Sequence, residues 1–181
     1  MKKIISFCFA FIASSIVFSS CSSSVTKNYS IGAEIASEMP LKNGQTLKYT
    51  NGTDIIACQV TMSVGSISSK WWRNDGDVAV QNYSVKAQDT VNRYINHTCQ
   101  LSPNAIKIYG DSELYLGTGK SLGTDGKLIC DTTNICLDTI TVRNRRYNRI
   151  FTNKARSVFY TPEAGVIKYI NAGKTYVLVP Q

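Results

Sequence analysis

Between Ile56 and Val64 the apolar residues fall on every second position. Ile56, Cys58, Val60, Met62 and Val64 alternate with Gln59, Thr61 and Ser63. A side-chain period of two belongs to a β-strand with one buried face, because successive Cβ atoms point to opposite sides of a sheet. No sustained helical period occurs from residue 39 onward. Short apolar runs recur instead between turn residues. Leu47 and Tyr49 form one, closed by Asn51-Gly52, a pair suited to a type I′ hairpin turn. Val78 to Ala87 forms another, and its apolar positions change face near Gln81, which predicts a bulge. Further strands are expected around Ile95 to Cys99, Ile106 to Ile108, Glu113 to Leu116, Leu128 to Cys130 and Ile135 to Val142. Arg146 to Thr152 and Ser157 to Thr161 follow, then a last hairpin from Val166 to Val179 over Asn171-Ala172-Gly173. Leu128 to Cys130 is expected to pair with Ile135 to Val142. Regularly spaced strands without helices imply an all-β fold: a single antiparallel sheet curled into a barrel, half-barrel or sandwich.

The first residues follow a different rule. Lys2 and Lys3 precede a mostly apolar run from Ile4 to Phe18, then Ser19, Ser20 and Cys21. Charge, apolar core and small residues in that order make a secretory signal peptide. The run is shorter than the roughly 20 residues that span a bilayer. Phe18-Ser19-Ser20-Cys21 resembles the lipobox of bacterial lipoproteins, with Phe18 where that family carries Leu, Val or Ile. The resemblance implies cleavage before Cys21, acylation of Cys21, and attachment by several acyl chains. Ser22 after the cysteine implies the outer membrane if the host is Gram-negative. Residues 1–20 are thus read as a leader, 21–38 as a serine-rich flexible tether with a turn or two of helix from Ala33 to Met39, and 39–181 as the β-domain.

Cys58, Cys99, Cys130 and Cys136 remain. An even set in an exported protein predicts disulfides, and four cysteines allow three pairings. The expected pairs are Cys130 with Cys136, closing a polar loop, and Cys58 with Cys99, joining distant strands. Their spacing fits no zinc pattern, and His97 is the one histidine. No cofactor or metal is expected.

Two motifs resemble those that open and close a diffuse group of bacterial envelope lipoproteins, each with one antiparallel β-domain. Pro40-Leu41-x-x-Gly44 leading to Tyr49 matches the first, and Tyr160-x-Pro162-x-x-Gly165-x-x-Lys168 the second. Glu163 stands where that group has glycine.

The net charge is +8, about +6 once Lys2 and Lys3 leave, which favours anionic partners. Arg143, Arg145, Arg146, Arg149, Lys154 and Arg156, with Tyr147 and Phe151 between them, form the densest basic run. Guanidinium groups grip phosphates and carboxylates in two-pronged fashion, so these residues are the candidate anion site, weighed against a solvated strand face. Trp71 and Trp72 are expected to pack in the core or under a loop. Asn74-Asp75-Gly76-Asp77 reads as a turn, since it lacks calcium-loop spacing.

No pattern identifies a nucleophile with its base, a carboxylate pair or a phosphate loop. The expectation is a non-catalytic lipoprotein, held by its anchor at the outer membrane, that binds an envelope protein or an anionic glycan or lipid. Nucleic acid is an improbable partner for an exported chain. A periplasmic inhibitor of a host enzyme such as lysozyme is the alternative, although a basic domain would be repelled by a basic target. A hydrolase of envelope polymers is the third.

Overall fold

A computed structural model describes residues 27–71, 74–88, 95–110, 112–119 and 126–180. The leader, Cys21, Trp72 and Arg73 lie outside the described residues. The described residues are nearly all β, with one short helix, and one antiparallel sheet is nearly closed into a barrel. The strands are β1 (Lys27–Tyr29), β2 (Thr46–Thr50), β3 (Ile55–Trp71), β4 (Asn74–Ala87), β5 (Asn96–Ser102) and β6 (Ala105–Tyr109). Then come β7 (Leu114–Gly117), β8 (Asn134–Val142), β9 (Arg145–Asn153), β10 (Val158–Thr161), β11 (Gly165–Asn171) and β12 (Lys174–Leu178). A single turn of helix, α1 (Ala33–Ala36), precedes β2. Along the sheet the order is β7-β6-β5-β4-β3-β2-β12-β11-β10-β9-β8, with β1 added in parallel to β4.

The inward face is built by the period-two pattern. Cys58, Val60, Val85, Cys99, Leu101, Ile106 and Ile108 are buried, and so are Tyr49, Tyr147, Tyr160, Tyr169 and Tyr176. Large aromatic bodies fill the interior, and their hydroxyls need partners there. Tyr49 donates to the Val166 carbonyl at 2.8 Å, and Tyr160 donates to the carbonyl of Glu38.

Two of the turns are made by residues in left-handed backbone. Arg143 and Asn144 (φ 48° and 65°) link β8 to β9, and Ala172 and Gly173 (φ 48° and 73°) link β11 to β12. Positive φ at both central residues matches the right-handed twist of the flanking strands. The β2–β3 turn is different. It spans residues 51–54, only Gly52 is left-handed there, and the Asn51 side-chain oxygen accepts from the amides of Thr53 and Asp54. The expected two-residue turn is therefore a four-residue Asx turn, because the asparagine side chain takes over the backbone's role.

Four other expectations change. Asn74 to Asp77, read as a turn, opens β4 and pairs with Ser68 to Trp71 of β3. The β3–β4 register runs unbroken from Cys58↔Ala87 to Trp71↔Asn74, so the expected bulge at Gln81 is absent. Val78 and Val80 face the opposite side from Tyr83 and Val85, and all four are buried, so β4 is covered on both faces. Leu128 to Cys130 is not a strand, and β8 pairs with β9 instead. Residues 27–38, read by composition as tether, are folded onto the domain. β1 pairs with β4, Ile35 is fully buried, and Glu38 is 3% exposed. Ile35 and Met39 bury apolar surface that a free tether would leave in water.

The two end motifs meet. A Cβ on Gly165 would lie 3.2 Å from Leu41 Cδ2 and 3.7 Å from Pro40. Gly165 is also left-handed (φ 81°), so glycine serves both the turn and the close approach.

The sheet's two ends, β7 and β8, are joined by side chains rather than by a ladder. Asn134 Nδ2 donates to the Tyr115 carbonyl at 3.3 Å, and Asn153 Nδ2 to the Glu113 carbonyl at 3.1 Å. Residues 126–130 run beside β7, with the Ile129 amide donating to the Gly117 carbonyl at 3.0 Å. A disulfide then ties Cys130 to Cys136 on β8, with a Cα–Cα distance of 5.9 Å. The disulfide thus ties to β8 the segment whose Ile129 amide bonds to β7.

Candidate functional site

The expected Cys130–Cys136 pair is present, and the expected Cys58–Cys99 pair is not: both residues are buried thiols. Strand order is the reason. β4 lies between β3 and β5, and Cys58 sits opposite Ala87 while Cys99 sits opposite Tyr83. Two inter-strand steps of about 4.8 Å, plus four residues along the strand, exceed the roughly 7 Å limit between disulfide Cα atoms. Burial pushes the Cys99 thiol up to about 12, so it stays protonated and is a poor nucleophile.

His97 lies two residues from Cys99 on the same inward face and is 1% exposed. Its ring packs edge-on to Tyr49 at 6.2 Å and tilted against Tyr169 at 5.4 Å. Neither ring nitrogen has a hydrogen-bond partner among the described residues. Desolvation lowers its pKa to about 4, which keeps the imidazole neutral. Gly110 lets the neighbouring chain close over this residue: a Cβ there would stand 2.7 Å from the Asn96 carbonyl oxygen and 3.4 Å from His97 Cα. A sealed, partnerless imidazole is placed to fill the core, and it reaches no solvent-borne substrate. No cluster of three or more His, Cys, Asp or Glu residues suited to a metal occurs among the described residues.

The basic run does not form one site. Arg143, Arg145 and Arg146 crowd the β8–β9 turn. Lys154 and Arg156 occupy the β9–β10 turn at the far end of β9, roughly 25 Å away at strand rise. Arg149, between them, is engaged elsewhere. Its Nη1 and Nη2 donate to Glu38 Oε1 and Oε2 at 3.2 and 3.0 Å. The left-handed backbone at Arg149 (φ 51°) resets the alternation of β9, leaving both Asn148 and Arg149 exposed before Ile150 turns in. That reset aims Arg149 at the segment after α1. Arg145 stacks over Tyr147 at 5.1 Å. An anion site, if built on this run, is confined to the Arg143, Arg145 and Arg146 end.

The surface with the plainest unmet chemistry is one that the sequence reading passed over. β3 outruns β2, which pairs only with Ile55 to Gln59. Past that point the Val60 amide donates to the Gln45 carbonyl, the Gly44 amide donates to the Val60 carbonyl, and the Met62 amide donates to Asn43 Oδ1 at 3.0 Å. Even-numbered residues of β3 therefore direct their amide and carbonyl groups outward. Val64, Ser66 and Ser68 have no strand beside them among the described residues. Residues 61–68 are all exposed, including Met62, Val64 (68%) and Ile67 (47%). Thr61 to Ser69 contains no charge and no proline, the devices by which edge strands are normally protected. On the other side of this β3–β4 arm, β1 pairs with Gly76 to Val78, and a groove of about 290 Å³ runs past Tyr29, Gly65 and Ala79. The signal was legible as an uncharged stretch continuing a strand, but only the strand order shows that nothing lies beside it.

Compared with protein-family models, with curated proteins and with solved structures, the chain matches none.

Proposed function

We propose that this chain is a lipid-anchored, non-catalytic envelope protein whose β-domain binds another component of the envelope. The single observation that supports a binding role is the β3–β4 arm, with an unprotected strand edge and exposed Met62, Val64 and Ile67. The Phe18-Ser19-Ser20-Cys21 motif supports the anchor. β1 begins six residues after Cys21 and pairs with the arm, so an anchored Cys21 would hold the arm within about 20 Å of the bilayer, the reach of an extended chain of that length. The outer membrane is the proposed location in a Gram-negative host. The partner classes are an envelope polypeptide, or an anionic glycan or lipid met by Arg143, Arg145 and Arg146.

Two measurements test the two halves. Radiolabelled palmitate is expected to enter the protein and to be lost in a Cys21→Ala variant; equal labelling of both would remove the anchor. Crosslinking in intact cells from a photoreactive residue at Val64 is expected to trap a partner, whereas one at Lys154 is not. Identical adduct patterns from the two positions would remove the arm as the binding surface.

A further inference from the structure

We propose that the open edge of β3 pairs with the same edge of a second copy, antiparallel, so that two arms join into one sheet. This names the partner of the arm and rests on the anchored binding protein proposed above.

The edge itself selects the kind of occupant. Outward amide and carbonyl groups at Val64, Ser66 and Ser68 call for another extended backbone. Burial in lipid hydrocarbon would strand them, at a cost of several kcal/mol per group, so a bilayer is the wrong cover for this edge. Self-pairing fits the residues present. With the two-fold axis at Ser66, Val64 faces Ser68 of the copy, and Ser66 faces its own counterpart. The three outward-facing residues then exchange about six backbone hydrogen bonds. On one face Ile67 falls opposite Gly65 of the copy. Gly65 has no Cβ, and the nearest atom to that vacant place is Val80 Cγ2 at 3.9 Å, so Ile67 finds both room and an apolar floor. Ile67 is 47% exposed in the single chain. The pairing is isologous and closes after two copies.

Charge and placement point the same way. The net charge of +8, about +6 once Lys2 and Lys3 leave with the leader, makes copies repel, and nine uncharged residues from Thr61 to Ser69 give them a place to approach. If both are anchored through Cys21, β1 holds both arms at one height above the same leaflet, which raises their effective concentration.

The test uses the full chain with Ser66→Cys. At a hydrogen-bonded antiparallel pair the Cα atoms are about 5.5 Å apart, within disulfide reach. Cys58 and Cys99 are buried, Cys130 is bonded to Cys136, and Cys8 and Cys21 are equally present in the Lys154→Cys control, so the comparison reads the introduced thiol. A covalent dimer is expected from Ser66→Cys under mild oxidation and not from Lys154→Cys. Sedimentation is expected to show a dimer for the native chain and a monomer for Ser66→Lys, with an unchanged circular dichroism spectrum. A monomeric native chain with no more crosslinking at Ser66 than at Lys154 overturns the pairing, and so does crosslinking of Ser66→Cys to a different polypeptide. The anchor is separated by adding Cys21→Ala. Loss of membrane association with crosslinking regained on concentration supports the edge by itself. Membrane association unchanged by Cys21→Ala counts against the anchor alone.

Discussion

The buried His97 makes the stability of this domain depend on pH in a calculable way. Its neutral ring packs between Tyr49 from β2 and Tyr169 from β11, and among the described residues neither ring nitrogen has a hydrogen-bond partner to hold a proton. Burial lowers its pKa from the ordinary 6.5 to about 4. Below pH 6.5 the unfolded chain gains a proton that the folded chain refuses, so stability falls as pH falls through that window. At 1.36 kcal/mol per pKa unit the loss is about 2 kcal/mol at pH 5 and about 3 kcal/mol near pH 4. Above pH 6.5 the contribution is flat. The assay is urea unfolding of the native chain and of His97→Leu and His97→Phe, followed by fluorescence from pH 4.5 to 7.5. Carboxylates titrate in all three proteins, so the difference between native chain and variant isolates the imidazole. The stability of the native chain minus that of the variant is expected to fall steadily from pH 6.5 to 4.5, because only the native chain's unfolded state gains the imidazole proton. A difference that stays constant over that range would refute the reasoning, because His97 would then hold its proton equally in both states.

Three other outcomes follow from the structure. Cys136→Ser is expected to cost about 2 kcal/mol by the loop-closure relation for so short a ring, with hydrogen exchange rising first at β7 and the start of β8, where the seam opens. Uniform loss of protection across the sheet would show that the disulfide does not guard the seam. Arg149→Ala strands a carboxylate, Glu38, that is 3% exposed; because the guanidinium is half in water, the expected cost is about 1 to 2 kcal/mol rather than the full value of a buried pair. Denaturant midpoints that match the native chain would remove the pair from the account of how the N-terminal segment is held. Gly110→Ala drives a methyl group against the Asn96 carbonyl, and melting is expected to show a loss of about 1 to 3 kcal/mol; Gly44→Ala, where no atom lies within 4 Å, isolates the cost of left-handed backbone alone.

What lay in the chain itself were the features that a few neighbouring residues decide. The alternation from Ile56 to Val60, the closing hairpin over Ala172 and Gly173, and the Cys130–Cys136 ring all arise between residues a handful of positions apart. Period, turn conformation and short-loop closure are local quantities, so they are readable without knowing what lies across the sheet. Long-range neighbours settled the rest. Met62 and Val64 carry the same alternation as Val60, yet they are exposed and lie outside the core, on the length of β3 that runs past β2. Cys58 and Cys99 look like partners until β4 is seen between them. Arg149 reads as one of six cations until Glu38, 111 residues earlier, folds against it. Strand order is fixed by the total burial of the closed sheet, a sum over all strands at once, and no stretch of sequence carries that sum alone.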